Sequence, residues 1–191
     1  MGRTLTLQGS VLRHLGQYAD AKATYEQAIE LLGRIGDYVH KAMAQMNLGN
    51  VYGALSQPAK ALKCHLSAKR VFSQVKDRLH LAHVYHNLGM TYRSLQKWGQ
   101  ARNACQKSID LWQELNDIER QVNTMDELAW VYFEQDDEIK AMKEIETALA
   151  LLTDIRDKPG YEYKHKMLTT DLARMRDNTY GHSRGSEAGT P

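Results

Sequence analysis

A period of forty residues runs through most of the chain, and it constrains the fold more than any other feature of the sequence. When the 191 residues are written in rows of forty, small residues align at Gly9, Gly49, Gly89 and Ala129. Other columns repeat at the same interval, and their first members are Ala21, Ala28, Leu31 and Asp37. Self-similarity at a fixed period of this length is the sequence signature of a protein built from stacked structural units.

Each row has the pattern of two helices joined by a turn. In the second row we expect helices over about 38–55 and 58–75, because Ser56-Gln57-Pro58 is turn-prone and proline favours the start of a helix. The aspartate column (Asp37, Asp77, Asp117 and Asp157) precedes each new row, where a carboxylate can accept the unpaired N–H groups of the next helix. The sequence therefore predicts an all-α chain with helix pairs over about 1–37, 38–77, 78–117 and 118–157.

The order of the columns resembles the tetratricopeptide repeat, and the first row carries its pattern in Gly9, Ala21, Tyr25 and Ala28. His65, Cys105 and Ile145 replace the aromatic of Tyr25, which we interpret as softening individual repeats. The forty-residue spacing is similar to the subset found in kinesin light chains, LGN-type adaptors and bacterial Rap-type regulators. The resemblance covers residues 1–157 and implies a right-handed α-solenoid of four helix-turn-helix repeats.

The remainder of the chain departs from the period. Lys158-Pro159-Gly160 interrupts the last row, and residues 158–178 are predicted to form a capping helix with a polar outer surface that includes Lys166 and Asp171. Residues 179–191 are mostly small, polar or charged, which predicts a disordered tail. The first helix has no preceding aspartate, and this suggests a fragment of a longer protein.

Composition favours a soluble globular protein. The formal net charge is +2, with 25% charged and 42% hydrophobic residues, so a nucleic-acid partner is not expected. No apolar run is long enough to span a membrane, and the two cysteines, Cys64 and Cys105, have no metal-ligand spacing. We expect a cytoplasmic protein with no membrane partner.

No motif predicts catalysis or a cofactor. Gly181-His182-Ser183-Arg184-Gly185 matches the nucleophile elbow of serine hydrolases. That elbow needs a preceding strand, and the sequence predicts no strand there. His80, His83 and His86 recur every three residues, whereas a metal site usually needs closer i, i+4 placement or a fourth ligand. We therefore predict a protein that is not an enzyme and has no metal or cofactor.

The resemblance implies that the first helices of successive repeats line a concave groove. Their residues are rich in Asn, His, Met and Trp, whereas a merely solvated helix face would favour Lys and Glu. Asn47 and Asn87 stand at one repeat position, which in the kinesin light chain and LGN-type families pairs with a peptide backbone. An alternative is that asparagine there only ends the packing between repeats. The candidate groove residues are Asn47, Asn50, Asn87, His83, His86, Met90, Arg93, Asn123 and Trp130.

Charge is uneven along the chain. Residues 38–77 carry six basic residues against one acidic residue, and residues 118–157 carry four against eleven. The leading prediction is a protein-interaction module that holds an extended peptide or partner segment in its groove. Two alternatives remain: a structural unit that self-assembles through its ends or charged faces, and the sensor fragment of a larger signalling protein.

Overall fold

In the computed structural model, the backbone is described for residues 1–186 and the side chains for residues 1–177. The described residues form nine α-helices and a 3-10 turn at Thr153–Ile155, and none of these helices is long and apolar enough to cross a membrane. The helices are α1 (Gly2–His14), α2 (Tyr18–Arg34), α3 (Tyr38–Ala54), α4 (Pro58–Gln74), α5 (Arg78–Ser94), α6 (Trp98–Glu114), α7 (Ile118–Phe133), α8 (Glu138–Leu152) and α9 (Tyr161–Ser186).

The helices pack on their neighbours along the chain within two compact units. In the first unit, residues 1–111, α1 packs on α2, α2 on α3, α3 on α4 and α4 on α5. In the second unit, residues 112–191, α7 packs on α8 and α8 on α9. The predicted all-α class with consecutive helix pairs is confirmed. The division between the units falls inside α6. The repeat boundaries in the sequence did not indicate a division at this place.

The turns between helices recur every twenty residues with one backbone geometry. One residue in each has positive φ: Gly16, Gly36, Ser56, Lys76, Gln96, Asn116 and Asp136. At the first turn, the Gly16 N–H donates to the Arg13 carbonyl at 3.1 Å and the Gln17 N–H to the Leu12 carbonyl at 2.9 Å. This is the Schellman arrangement, which satisfies the last carbonyls of a helix through one left-handed residue.

Aspartate side chains cap three of the first helices as predicted. Asp37, Asp77 and Asp117 each accept a hydrogen bond from the backbone N–H three residues on. The same role for Asp157 is wrong, because α9 begins four residues later, after Gly160 with φ 91°. Asp137, which lies outside the aspartate column, instead caps α8.

The C-terminal helix differs from its prediction in length and in one buried residue. It continues to Ser186, so the predicted end at 178 and the start of a disordered tail at 179 do not match the described backbone; residues 187–191 lie outside the described residues. Lys166 is exposed as expected, but Asp171 is buried. Burial raises the pKa of the Asp171 carboxyl, and the nearby Arg174 charge opposes that shift.

The core of the first unit contains two hydrophobic clusters, each formed by helices of neighbouring repeats. Tyr25 and Leu32 of α2 pack with Leu48 and Val51 of α3 in one cluster. A second cluster joins α3 and α4 to α5 and α6, and it includes the fully buried Phe72. Burial of each such side chain stabilises the folded state by about 1.5–3 kcal/mol. The helices that carry the candidate groove residues are therefore held by a packed core.

Candidate functional site

A glycine lets the two helices of each pair approach closely, and one side chain of the second helix fills the space. A Cβ added to Gly9 would lie 2.8 Å from Tyr25 Cε1, and one added to Gly49 would lie 2.3 Å from His65 Nε2. At Gly89 the added Cβ would lie 2.5 Å from Cys105 Sγ. The residue in the Tyr25 column therefore sits directly against the glycine column.

The residue that follows each glycine complements the side chain packed on it. Ser10 Oγ lies 2.9 Å from Tyr25 Oη in the first pair, and Asn50 Oδ1 lies 3.2 Å from His65 Nε2 at the same two positions in the second. Met90 and Cys105 occupy these positions in the third. The first two pairs are polar and hydrogen-bonded, and the third is built of sulfur-containing side chains.

A cavity of about 760 Å³ lies in the first unit where His65 replaces the larger tyrosine. Gly49 and Gly53 of α3 form part of its wall, and α4 contributes Ala61 and His65. Its other polar lining residues come mainly from the ends of three successive first helices and the turn after α3: Arg13, Asn50, Ser56, Asn87, Thr91 and Ser94. Known small-molecule and cofactor pockets fall in the same range of volume.

Arg13 is the lining residue that brings a unit positive charge to the cavity wall. Its Nη2 lies 3.2 Å from His14 Nε2, and His14 Nδ1 lies 2.8 Å from the Ser10 carbonyl oxygen. Because that carbonyl can only accept, the His14 proton sits on Nδ1 and its Nε2 accepts from Arg13. The Arg13 Nε is buried and has no hydrogen-bond partner among the described residues.

His65 forms the floor of the cavity and joins three helices. It is only 2% exposed. Its Nδ1 lies 3.1 Å from Thr91 Oγ1 on α5, and its Nε2 faces Asn50 on α3. Burial lowers the pKa of His65 to about 4, and the Met46 backbone makes a smaller, opposing contribution. The ring is therefore neutral near pH 7.

The repeats match a known family over most of the chain. Residues 1–74 and 80–154 match the sequence model of the tetratricopeptide repeat. The chain belongs to the tetratricopeptide-repeat family. Proteins of this family generally act as non-enzymatic protein-interaction scaffolds. The comparison with curated protein sequences gives no match.

Solved structures of other tetratricopeptide-repeat proteins share the fold. The nearly identical repeats of a Podosopora anserina putative kinesin light chain are 15% identical, with a TM-score of 0.77 over 97% of this chain and 90% of that one. A Rap protein, solved in complex with competence and sporulation factor, is 12% identical, with a TM-score of 0.78 over 96% of this chain and 50% of that one. MamA from Desulfovibrio magneticus RS-1 is 21% identical, with a TM-score of 0.63 over 81% and 77% of the two chains. At these identities the likeness shows the fold alone.

Three of the predicted groove residues of this tetratricopeptide-repeat chain line the cavity. They are Asn50, Asn87 and Met90, and Met90 is 44% exposed. Asn47 is half-buried on α3 but is not part of the cavity wall, although it shares a repeat position with Asn87. The two asparagines therefore have different surroundings despite their matching sequence context.

The other predicted residues lie elsewhere on the first helices. His83, His86 and Arg93 are half-buried on α5, outside the cavity wall. Asn123 and Trp130 lie on α7 in the second unit, where the Trp130 and Phe133 rings meet edge to face at 5.5 Å between centroids. The structure thus assembles part of the predicted set in one place.

Two central cavity residues, His65 and Thr91, are absent from the predicted set. His65 departs from the Tyr25 column, and this departure marks the cavity, although it was interpreted only as a softening of the repeat. Thr91 of α5 occupies the repeat position that Val51 occupies in the second row. There an apolar residue packs against the preceding repeat. Its hydroxyl becomes informative only when His65 is known to lie beside it.

The three spaced histidines of α5 are not arranged as a metal site. His80 Nδ1 lies 2.7 Å from Asp77 Oδ2, and its ring stacks on Phe72 at 4.8 Å. Among the residues that the structure describes, no three or more His, Cys, Asp or Glu side chains are grouped to hold a metal ion. His80 serves instead at the start of α5.

Proposed function

We propose that this chain is a non-enzymatic interaction module that holds an extended peptide or partner segment in the cavity of its first unit. The observation that carries the proposal is that three successive first helices contribute polar side chains to one cavity: Arg13 from α1, Asn50 from α3 and Asn87 from α5. A recess shared by consecutive repeats suits a ligand that runs along them.

The chemistry of the wall fits a peptide better than a small apolar ligand. A carboxamide offers both donors and an acceptor, so Asn50 and Asn87 can pair with the N–H and C=O groups of a peptide backbone. Met90 adds an exposed and adaptable apolar contact, which suits side chains of different shape. Arg13 can pair with a carboxylate, because its guanidinium presents several donors in a fixed plane.

The matching asparagines provide a test with a built-in control. Random peptides displayed on phage are selected against the intact chain, and the enriched peptides are synthesised and measured by fluorescence anisotropy. Asn87→Ala, inside the cavity, should weaken binding by about 5- to 10-fold, the value of one hydrogen bond. Asn47→Ala, at the same repeat position outside the cavity, should leave the affinity within about 2-fold if the cavity is the site.

Other outcomes separate the hypotheses. Equal losses in both variants would favour an asparagine ladder along the helices over the cavity. If the chain enriches no peptide, or if neither variant changes the affinity, the proposed site is wrong. Circular dichroism melting of each variant checks that a loss of binding is not a loss of fold.

Self-association is a second candidate function, and the distribution of charge favours it. The first unit carries 15 Lys and Arg against 6 Asp and Glu, a net charge of +9, and the second carries 10 against 17, a net charge of −7. Opposite potentials of this size steer encounter between molecules. The first unit of one copy and the second unit of another are therefore complementary in charge.

A further inference from the structure

A chain of hydrogen bonds at the cavity floor connects Asn50, His65, Thr91 and the backbone of Asn87. Thr91 Oγ1 donates to the Asn87 carbonyl at 2.7 Å, and His65 Nδ1 lies 3.1 Å from the same hydroxyl oxygen. His65 Nε2 lies 3.2 Å from the Asn50 carboxamide. Each of these groups has a limited number of protons, so the direction of each bond constrains the next.

The Thr91 hydroxyl fixes the proton of the imidazole. A hydroxyl has one proton, and Thr91 uses it on the Asn87 carbonyl, which can only accept. Thr91 Oγ1 must therefore accept from His65, which places the ring proton on Nδ1. In a neutral ring, Nε2 then carries a lone pair and needs a donor.

Asn50 can supply that donor through one end of its carboxamide only. The oxygen and nitrogen ends of this group have nearly the same size, so the hydrogen-bond network decides which end faces a neighbour. With the oxygen toward Nε2, two acceptors would face each other at 3.2 Å. With the NH2 toward Nε2, the pair is a hydrogen bond and the oxygen turns toward the cavity, which Asn50 lines.

The opposite tautomer leaves a different conflict. If Nε2 carried the proton and donated to the Asn50 oxygen, Nδ1 would need the Thr91 hydroxyl proton. Thr91 Oγ1 and the Asn87 carbonyl oxygen would then lie 2.7 Å apart with no proton between them. A doubly protonated ring would satisfy all three contacts, but it would bury an unpaired positive charge at a site only 2% exposed.

We infer that His65 is a positioning residue that turns the Asn50 carboxamide oxygen toward the cavity, so that the cavity selects a ligand that donates an N–H hydrogen bond at this point. This specificity rests on the proposed peptide-binding function. Arg13 donates from the cavity wall, and Asn50 accepts at its floor. A peptide segment with a backbone N–H over Asn50 and an acceptor near Arg13 meets both requirements.

The tautomer can be measured without a ligand. Long-range 1H–15N correlation spectra of the intact chain at pH 7 distinguish a neutral ring protonated at Nδ1 from one protonated at Nε2. We expect His65 to be the Nδ1–H form, with nuclear Overhauser contacts from the Asn50 NH2 protons to the ring. An Nε2–H form or a doubly protonated ring would overturn the inference, because either places the Asn50 oxygen against the ring.

Two variants test the cause of this tautomer. Thr91→Val removes the acceptor for Nδ1–H while keeping a similar shape, and the His65 population should shift toward Nε2–H. Ser94→Ala is the matched control, since Ser94 also lines the cavity and bonds a helix carbonyl, that of Met90 at 3.0 Å. It should leave the tautomer unchanged. If Thr91→Val also leaves the tautomer unchanged while remaining folded, Thr91 does not set the ring and the inference fails.

A peptide from the selection described above tests the consequence for binding. Methylation of each backbone nitrogen in turn should reveal one position where the affinity falls by about 5- to 10-fold in the wild-type chain. The same methylation should cost at most about 2-fold in Asn50→Ala. Equal losses in both proteins would overturn the assigned donor contact. Failure to select any peptide would reject the proposed function, whereas the tautomer measurement would still decide the orientation of Asn50.

Discussion

Gly49 and Gly53 lie one turn apart on α3, yet an added methyl group meets different surroundings at each. A Cβ at Gly49 would lie 2.3 Å from His65 Nε2, while at Gly53 nothing lies within 4 Å. We expect Gly49→Ala to lower the free energy of unfolding by about 1–3 kcal/mol through overpacking. Gly53→Ala should raise it by up to about 1 kcal/mol, because alanine is the better helix former.

Urea denaturation of the two variants measures this difference. The matched design removes one glycine and adds one methyl group in each case, so helix propensity alone predicts a gain in both. A gain in stability for Gly49→Ala would show that His65 moves aside at no cost. It would then contradict the tight packing on which the shape of the cavity floor depends.

The buried imidazole predicts a pH dependence of stability. His65 has a folded pKa of about 4, below its unfolded value of 6.5. Between these values the unfolded state binds more protons, so the free energy of unfolding falls as pH falls from 6.5 to 4. The difference of pKa corresponds to about 3 kcal/mol, and the loss should level off below pH 4.

Replacing the pair His65 and Asn50 by the pair found in the first repeat provides the control. The double variant His65→Tyr, Asn50→Ser should lose this slope, as measured by urea denaturation between pH 7 and 4. Asp37 does not interfere, since hydrogen bonds from Arg3 and His40 hold its pKa near 2 and its contribution is lost only below about pH 4. Equal slopes in the two proteins would mean that His65 is protonated in the folded state.

Residue-level prediction from the sequence succeeded where a residue's role depends on its own helix. The aspartate caps of α3, α5 and α7 and the buried Ala21, Ala28 and Ala61 follow from spacing within a row. The role of Asn87 differs from that of Asn47 because the neighbouring column residue differs between rows, and the spacing of one helix does not contain that information. A pairwise comparison of positions 10 and 25 across the rows would have exposed the polar Asn50–His65 pair.

At the scale of the helix-ending turn, five of the seven left-handed residues are not glycine. Left-handed backbone costs an L-residue roughly 1–2 kcal/mol, less for Asn and Asp, and glycine carries its own entropic cost in the unfolded state. We expect Gln96→Gly, at φ 55°, to raise the free energy of unfolding by about 0.5–1 kcal/mol. Gly36→Ala should lower it by about 1 kcal/mol, measured by urea denaturation.

The loss of stability expected for Gly36→Ala has a purely conformational cause. A Cβ at Gly36 meets nothing within 4 Å, so no steric contact with the rest of the protein contributes. Asn116→Gly serves as a graded control and should gain less than Gln96→Gly, because asparagine tolerates positive φ. Equal gains, or a loss at Gln96, would mean that hydrogen bonds of the side chain compensate for the backbone strain.

The helix positions of the second row were predictable because Ser56-Gln57-Pro58 marks the turn between them. The predicted spans 38–55 and 58–75 end within one residue of α3 and α4. The predicted end of the last helix at 178 was wrong, since a polar composition lowers the expectation of order without excluding a helix. The exact twenty-residue recurrence of left-handed turns was not predicted, because Lys76 and Gln96 carry no turn signal of their own.

The whole molecule separates charge more strongly than its net value of +2 suggests, and this separation predicts salt-dependent association. Helix α4 contains Lys60, Lys63, Lys69 and Arg70 and no acidic residue, and of these Lys60, Lys63 and Arg70 are exposed. At an ionic strength of about 0.01 M the Debye length is about 30 Å, and at about 1 M it is about 3 Å. The electrostatic attraction between the +9 unit of one copy and the −7 unit of another is therefore strong only at low salt.

Sedimentation velocity on the intact chain tests this attraction. We expect a faster, concentration-dependent boundary at about 0.01 M salt and a single slow boundary at about 1 M. Lys63→Glu with Arg70→Glu should remove the fast boundary, because it lowers the charge of the first unit by four. Lys143→Glu with Lys166→Glu makes the same change in net charge on exposed positions of the second unit, which only increases its negative charge. That control should keep or strengthen association, so equal losses in the two variants would point to net charge alone, and one boundary at both salt concentrations would reject self-association.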